Sequence, residues 1–172
     1  MEKEKLDELM AAVAEGDNEA FEKLYLATAK GVYVFAYSYV NNKSDAEDLM
    51  QTAFLQIKKK AYTYQKGTNA RAWMLQIVKN LALDELRRRK RERERLADAD
   101  KAESASYEFS ENTALEYMMR SLNGEEREIV LLHVFWGYKH REIAKKLNLP
   151  LGTVTWRYNK AIKKLEKFRE DV

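Results

Sequence analysis

The chain has 172 residues, 34% charged and 45% apolar, with a net charge of +3, one proline and no cysteine. That length suits one ordinary domain or two small ones, with enough apolar content for a packed core. The lack of cysteine excludes disulfide staples and thiolate metal sites, and two histidines, His133 and His140, leave little for a metal cage, so no metal and no cofactor is expected. No run reaches the roughly 18 apolar residues of a membrane helix. The acidic start MEKEKLDEL is unlike a signal peptide. No membrane insertion and a cytoplasmic location are therefore expected.

Helical spacing dominates from the start. Leu6, Leu9, Met10 and Val13 predict a short helix that Gly16 stops. Asp17 or Asn18 can cap the next helix, whose stripe is Phe21, Leu24, Tyr25, Val32, Phe35 and Tyr39. Asn41 and Asn42 make a turn. Ser44 and Glu47 have capping-box spacing, in which each side chain meets the other's free backbone N–H. The helix that follows points Ala46, Leu49, Met50, Ala53, Phe54 and Ile57 inward. Lys58, Lys59 and Lys60 suit its negative C-terminal end. The segment AYTYQKGTNA, residues 61–70, is a polar loop with aromatics. A fourth helix runs from about Arg71 to Arg91 or beyond, with Trp73, Ile77, Val78 and Leu81 as its buried stripe. Asp84 precedes Arg88 by four residues, the favourable order for a helical ion pair.

Residues 87–95, RRRKRERER, hold seven bases and two acids. Residues 96–112, LADADKAESASYEFSEN, are acidic and rich in Ala and Ser, and apolar periodicity fades there. This predicts a flexible acidic linker. A short helix is expected around residues 113–121. Asn123 and Glu126 signal another cap, opening a helix with Ile129, Val130, Leu132, Val134 and Phe135 that Gly137 ends. The fold class is therefore all-α: an N-terminal helical bundle over residues 1–95, a linker over 96–112 and a second small helical domain over 113–172. Each unit is small for independent stability.

Residues 141–167, REIAKKLNLPLGTVTWRYNKAIKKLEK, have the layout of a helix-turn-helix. Ile143, Ala144 and Leu147 form the apolar face of a short scaffold helix, and Ala144 allows a close crossing. Asn148 tolerates the left-handed conformation that the turn needs. The last helix is expected to start near Thr153, with Val154, Tyr158, Ala161 and Leu165 as its inner stripe. At about 100° per residue, Thr155, Trp156, Asn159, Lys160 and Lys163 face outward. Amides and hydroxyls there can read base edges, and Lys or Arg can read guanine or hold phosphate. Free N–H groups at Gly152 and Thr153 can bind phosphate as well. A plain antiparallel helix pair with a basic solvent face is the bland alternative. The outward Trp156 and the density of bases weigh against it.

Three motifs in order carry a resemblance. DAEDLMQTAF, residues 45–54, resembles the polymerase-binding helix of the extracytoplasmic-function group of bacterial sigma factors. WMLQIVKNLALDELRRRKR, residues 73–91, resembles their promoter-melting helix, including Trp73, Asn80, Asp84 and Arg88. PLGTVTWRYNKAIKKL, residues 150–165, resembles their last recognition helix. The likeness extends over roughly residues 17–93 and 112–167.

The resemblance implies a transcription initiation factor of the alternative-sigma type, used in stress response, and not an enzyme. It would bind core RNA polymerase, direct it to promoter DNA and help to open the −10 region. It implies that Asp45, Glu47, Asp48 and Gln51 contact polymerase, with Asp48 and Gln51 the strongest candidates because they lie beyond the first helical turn. Asp45 and Glu47 also serve the helix macrodipole. It implies a −10 DNA contact set of Tyr62, Tyr64, Lys66, Asn69, Arg71, Lys79, Asn80, Arg87 and Arg88, with Gly67 and Thr68 in the same loop. A base swung out of the stack needs such a pocket of aromatics, polar edges and cations. Tyr62 and Tyr64 are each open to either base stacking or packing, and Trp73 reads better as a core anchor. The −35 contact set would be Thr153, Thr155, Trp156, Arg157, Asn159, Lys160 and Lys163, with Arg157 open to a phosphate or a packing role. An anti-sigma factor is expected by family analogy, and the acidic linker would run near the RNA path in polymerase. Relatives usually carry an aromatic at the place of Ala70, a basic residue at Thr155 and a small polar residue at Trp156. A stand-alone helix-turn-helix regulator is the alternative. It explains the C-terminal half and leaves the first two motifs without a role. A small hydrolase or metal enzyme lacks its parts, including a Gly-rich phosphate loop.

Overall fold

A computed structural model describes the backbone of residues 3–97 and 121–170. Seven α-helices and one short 3₁₀ turn lie in these residues, with no strand among them. They form two units. The first contains α1 (Lys3–Ala14), α2 (Asn18–Val40), α3 (Lys43–Lys60), the 3₁₀ turn Ala61–Thr63 and α4 (Ala70–Ala97). The second contains α5 (Gly124–Val134), α6 (His140–Leu147) and α7 (Leu151–Glu170). Most of the expected linker, and all but the last residue of the short helix expected around residues 113–121, lie outside the described residues. At the near end of that stretch α4 runs on through Ala97.

In the first unit, α2 is the central post and packs against α1, α3 and α4. Its C-terminal half is apolar on almost every side, so Val32, Val34, Phe35, Ala36, Tyr37 and Val40 are all buried. Each buried aliphatic side chain of this kind contributes roughly 1.5–3 kcal/mol. Asp17 caps α2 by accepting from the Ala20 N–H at 3.0 Å. The two asparagines between α2 and α3 divide the turn. Asn41 adopts the left-handed conformation, φ +52°, and its N–H returns to the Tyr37 carbonyl. Asn42 is extended and its side chain accepts from the Asp45 N–H at 3.1 Å. The cap of α3 is thus Asn42, not the expected Ser44–Glu47 box: the helix begins one residue before Ser44. Phe54 of α3 meets the rings of Phe21 and Tyr25 on α2.

The buried stripe of α4 differs from the expected one. Ala70, Met74, Leu75, Val78 and Ala82 are buried, whereas Trp73, Ile77 and Leu81 are half-exposed. The buried line thus includes the small Ala70 and Ala82 as well as Met74, Leu75 and Val78.

The second unit starts with the expected capping box. The Asn123 side chain accepts from the Glu126 N–H at 2.8 Å, and the Glu126 carboxylate accepts from the Asn123 N–H at 3.1 Å. Ile129, Val130, Leu131 and Leu132 are buried, and so are Trp136 and Tyr138 beyond the helix. Val134, expected inward, is exposed. At the end of α6, Asn148 is left-handed at φ +53°, and the Leu149 N–H reaches back to the Ala144 carbonyl at 2.9 Å. This closure frees Pro150, whose carbonyl accepts the Val154 N–H, so α7 starts at Leu151, two residues earlier than expected.

Candidate nucleic-acid interface

On α3, Glu47, Asp48 and Gln51 are exposed on one side of the helix. Asp45 is not free in the same way. Its carboxylate pairs with Arg89 of α4 at 2.6 Å, and Arg89 also pairs with Glu85 at 2.8 Å. Arg89 is only 17% exposed. Burial alone works against its charge, but the hydrogen bonds it donates to Asp45 and Glu85 outweigh that and hold its pKa above the ordinary value. Glu85 is pushed down to about 2, first by its hydrogen bond from Arg88 and then, against the opposing effect of burial, by Arg89. A cleft lined by Asp45, Asp48, Thr52, Asp84, Glu85, Arg88 and Arg91 runs between α3 and α4.

The loop between the 3₁₀ turn and α4 is pinned by α1. Asp7 Oδ1 accepts both the Tyr64 hydroxyl at 3.0 Å and the Ala70 N–H at 2.8 Å. Tyr64 is buried, its ring meeting that of Trp73 edge-on at 5.9 Å. Burial, opposed by a hydrogen bond to Thr68, raises its pKa. The two readings of Tyr64 therefore resolve toward packing. Tyr62 is 77% exposed and available to a partner. Lys66 is exposed on the loop, where Gly67 has φ +86° and the Thr68 hydroxyl donates to the Gln65 carbonyl. Asn69 caps α4 by accepting from the Ala72 N–H at 3.1 Å. Arg71 and Lys79 are half-buried.

Asn80 is exposed, and its side-chain oxygen accepts from Gln76 at 2.8 Å. Its amide N–H groups still point donors at solvent. The expected Asp84–Arg88 pair is absent from the observed bonds. Asp84 instead pairs with Arg87 at 2.6 Å, and Arg88 with Glu85 and Glu92 at 2.8 Å each. The Asp84–Arg87 pair, exposed on both partners, holds loosely.

On α7, Trp156, Asn159, Lys160 and Lys163 face solvent, as their spacing predicts. Thr153 and Thr155 are half-buried, and the Thr155 hydroxyl lies 3.4 Å from His140 Nδ1. Arg157 turns inward, pairing with Glu125 at 3.0 Å. Lys164 does likewise with Glu126 at 2.6 Å. Glu126 is 2% exposed, yet its carboxyl pKa is lowered, because Lys164 and the Asn123 N–H together overcome the desolvation. Two acids of the first turn of α5 thus hold two bases of α7, and the outward face is left to Trp156, Asn159, Lys160, Lys163 and Lys167.

Sequence reasoning missed three residues that build these faces: Asp7, Arg89 and Glu126 as a partner of Lys164. Only Arg89 had a local signal, Glu85 four residues before it. Among the described residues there is no cluster of metal-ligating side chains, and no helix is long and apolar enough to cross a membrane.

A family model described as Sigma-70 region 2 matches residues 24–92, and one described as Sigma-70, region 4 matches residues 112–165. The chain is 33% identical to the ECF RNA polymerase sigma factor SigE of Mycolicibacterium smegmatis, over 90% of this chain and 65% of that protein. It is 28% identical to the ECF RNA polymerase sigma factor BldN of Streptomyces coelicolor, over 95% of this chain and 66% of that protein. The chain thus spans just under two thirds of the length of these two relatives. Among solved structures it resembles the sigma factor RpoE crystallised with the anti-sigma factor NepR from Bartonella quintana. The TM-score is 0.61 at 23% identity, covering 87% of this chain and 96% of that chain, which is a likeness of fold.

Proposed function

The chain belongs to the sigma-70 family, in its extracytoplasmic-function group, and from that premise we propose that it binds core RNA polymerase, directs it to specific promoters and helps to open their −10 region. One observation carries this reading most directly. The three motifs fold into two units that each present an exposed polar or cationic face, with an inward set of charges reserved for holding the helices in place. In the first unit, Glu47, Asp48 and Gln51 offer an acidic and amide surface that suits a basic coiled coil on polymerase. Tyr62, Lys66 and Asn80 offer a ring, a cation and amide donors to unpaired bases, with Arg87 and Arg88 exchanging their carboxylates for phosphates. In the second unit, α7 is the helix for the −35 major groove, with Asn159, Lys160 and Lys163 at its outward face and the N–H groups at its start facing phosphate.

We assign the first role to residues 1–95 and the second to residues 113–172. The protein acts as an initiation factor without catalysing a reaction itself, in the cytoplasm, with an anti-sigma factor among its partners. Support for that partner is the RpoE likeness, since that protein was solved with one. The stand-alone regulator accounts for α5–α7 and leaves the match over residues 24–92 idle.

The test is reconstitution. The full chain is mixed with core polymerase and a promoter library from the source genome, and run-off RNA is sequenced. Transcripts starting downstream of a shared −35 and −10 pair are expected. Absence of both polymerase binding and promoter-dependent RNA overturns the reading.

A further inference from the structure

We infer that the indole of Trp156, held in place by Lys160, reads the C5-methyl group of one thymine in the −35 element. This rests on the sigma-factor reading and deepens it.

Trp156 stands in the second turn of α7, on the side away from the buried Val154 and Ala161, and is 60% exposed. A large aromatic left open at the surface carries an unfavourable apolar exposure until a partner covers it. The Lys160 ammonium sits 4.9 Å from the ring centroid, one helical turn on, in a cation–π contact. That contact restrains the ring before binding, so less freedom is lost when a partner arrives. Around the ring, an open groove is lined by Asn159, Lys160, Lys163, Lys164 and Lys167. The groove therefore pairs an aromatic floor with a cationic rim, and its partner must combine negative charge with an apolar group.

Double-stranded DNA does so in one way. Every base-pair edge in the major groove carries donors and acceptors, but only thymine adds a methyl group. A single indole N–H cannot satisfy the polar edges of guanine, cytosine or adenine, which would lose water for little return. Over a thymine methyl, the ring buries apolar against apolar. An acidic protein segment shares the charge requirement, but the first turns of the second helix in a helix-turn-helix are those that enter the groove.

The test uses holoenzyme built from the full chain and core polymerase. A promoter library randomised at −35 gives the preferred element. Each thymine of that element, on either strand, is then replaced by deoxyuridine, which removes only the methyl group. Promoter affinity should fall about fourfold at one thymine, the worth of one buried methyl group. Trp156→Ala should bind the preferred element more weakly and be indifferent to the replacement, while Trp156→Phe keeps the sensitivity. Circular dichroism checks that both variants fold. A preferred element without thymine, a wild-type protein indifferent at every thymine, or a Trp156→Ala protein with undiminished sensitivity overturns the inference. Unchanged −35 selection by Trp156→Ala together with lost binding to an acidic protein also overturns it, and assigns the ring to a protein contact. Promoter-dependent RNA in those cases leaves the sigma-factor reading standing. No promoter-dependent RNA from any member of the library fells both.

Discussion

Glu126 is the residue whose environment departs furthest from its chemistry. It is a carboxylate at 2% exposure, kept ionised by Lys164 and by the Asn123 N–H it caps. Glu126→Ala should remove a cap and the ion pair with Lys164. The expected loss is about 1–3 kcal/mol in denaturant unfolding, moderated because Lys164 is partly exposed and can regain water. Glu126→Gln keeps an acceptor for Asn123 and should lose less. His140 adds a pH dependence in the same unit. Burial, and then the neighbouring His133 ring at 4.7 Å, lower its pKa from 6.5. Unfolded His140 takes up its proton near 6.5 and folded His140 only at lower pH, so the unfolded state holds more protons between and stability falls as pH drops. Melting of the chain at pH 7.5 and 5.5 should show this loss, and His140→Gln should flatten it. A slope unchanged by the substitution would place the titration elsewhere. The cap role of Glu126 was legible, because Asn and Glu stand three residues apart before an apolar run. Its pairing with Lys164 was not, since 38 residues separate them and no periodicity links the two.

At the scale of helices, the join between α3 and α4 depends on Arg89. It bridges Asp45 and Glu85 at low exposure, while its neighbours Arg87 and Arg88 make exposed pairs along one helix. Arg89→Ala should therefore destabilise the first unit by about 1–3 kcal/mol, and a double-mutant cycle with Asp45→Ala should give a coupling in the same range. Arg87→Ala should cost only a few tenths of a kcal/mol, about the worth of an exposed helical pair. Equal effects of the two would refute the division. Glu85 gives the sign of the acid response. Its folded pKa of about 2 lies below the ordinary 4.5, so its contribution is complete above 4.5 and is lost as pH falls toward 2. The helices themselves were legible from their apolar spacing and their caps. The azimuth of α4 was not. Trp73, Ile77 and Leu81 drew the predicted stripe toward themselves, whereas Ala70, Met74, Leu75, Val78 and Ala82 are the buried residues. Small residues carry little weight in a hydrophobic period yet decide how near two helices can come. The same lack of signal hid Asp7, whose pinning of Tyr64 and Ala70 spans about sixty residues of sequence.

For the whole molecule, the net charge of +3 understates how its charges are used. Many bases are spent internally: Arg89, Arg157 and Lys164 hold helices together, and Arg87 and Arg88 are paired on α4. Outward cations of the second unit lie on α6, at Arg141 and Lys145, and on α7, at Lys160, Lys163 and Lys167. A lysine that touches phosphate adds affinity without sequence preference and releases a counterion, so its removal lowers the salt slope of binding by about one. Lys163 lies on that outward face, and Lys163→Ala should weaken holoenzyme binding to all cognate promoters alike while flattening the salt dependence. Asn80 differs in kind. Its amide is exposed on α4 of the other unit, so Asn80→Ala should slow opening at particular −10 sequences and leave polymerase binding and the salt slope nearly intact. The two residues share no partner, and the free-energy effects of the double variant should add to within about 0.5 kcal/mol. Measuring open-complex formation against salt on promoters differing only at −35 or only at −10 separates these outcomes. A sequence-dependent effect of Lys163→Ala would make that lysine a base reader, and a uniform loss with weakened polymerase binding in Asn80→Ala would make that amide a structural element of α4.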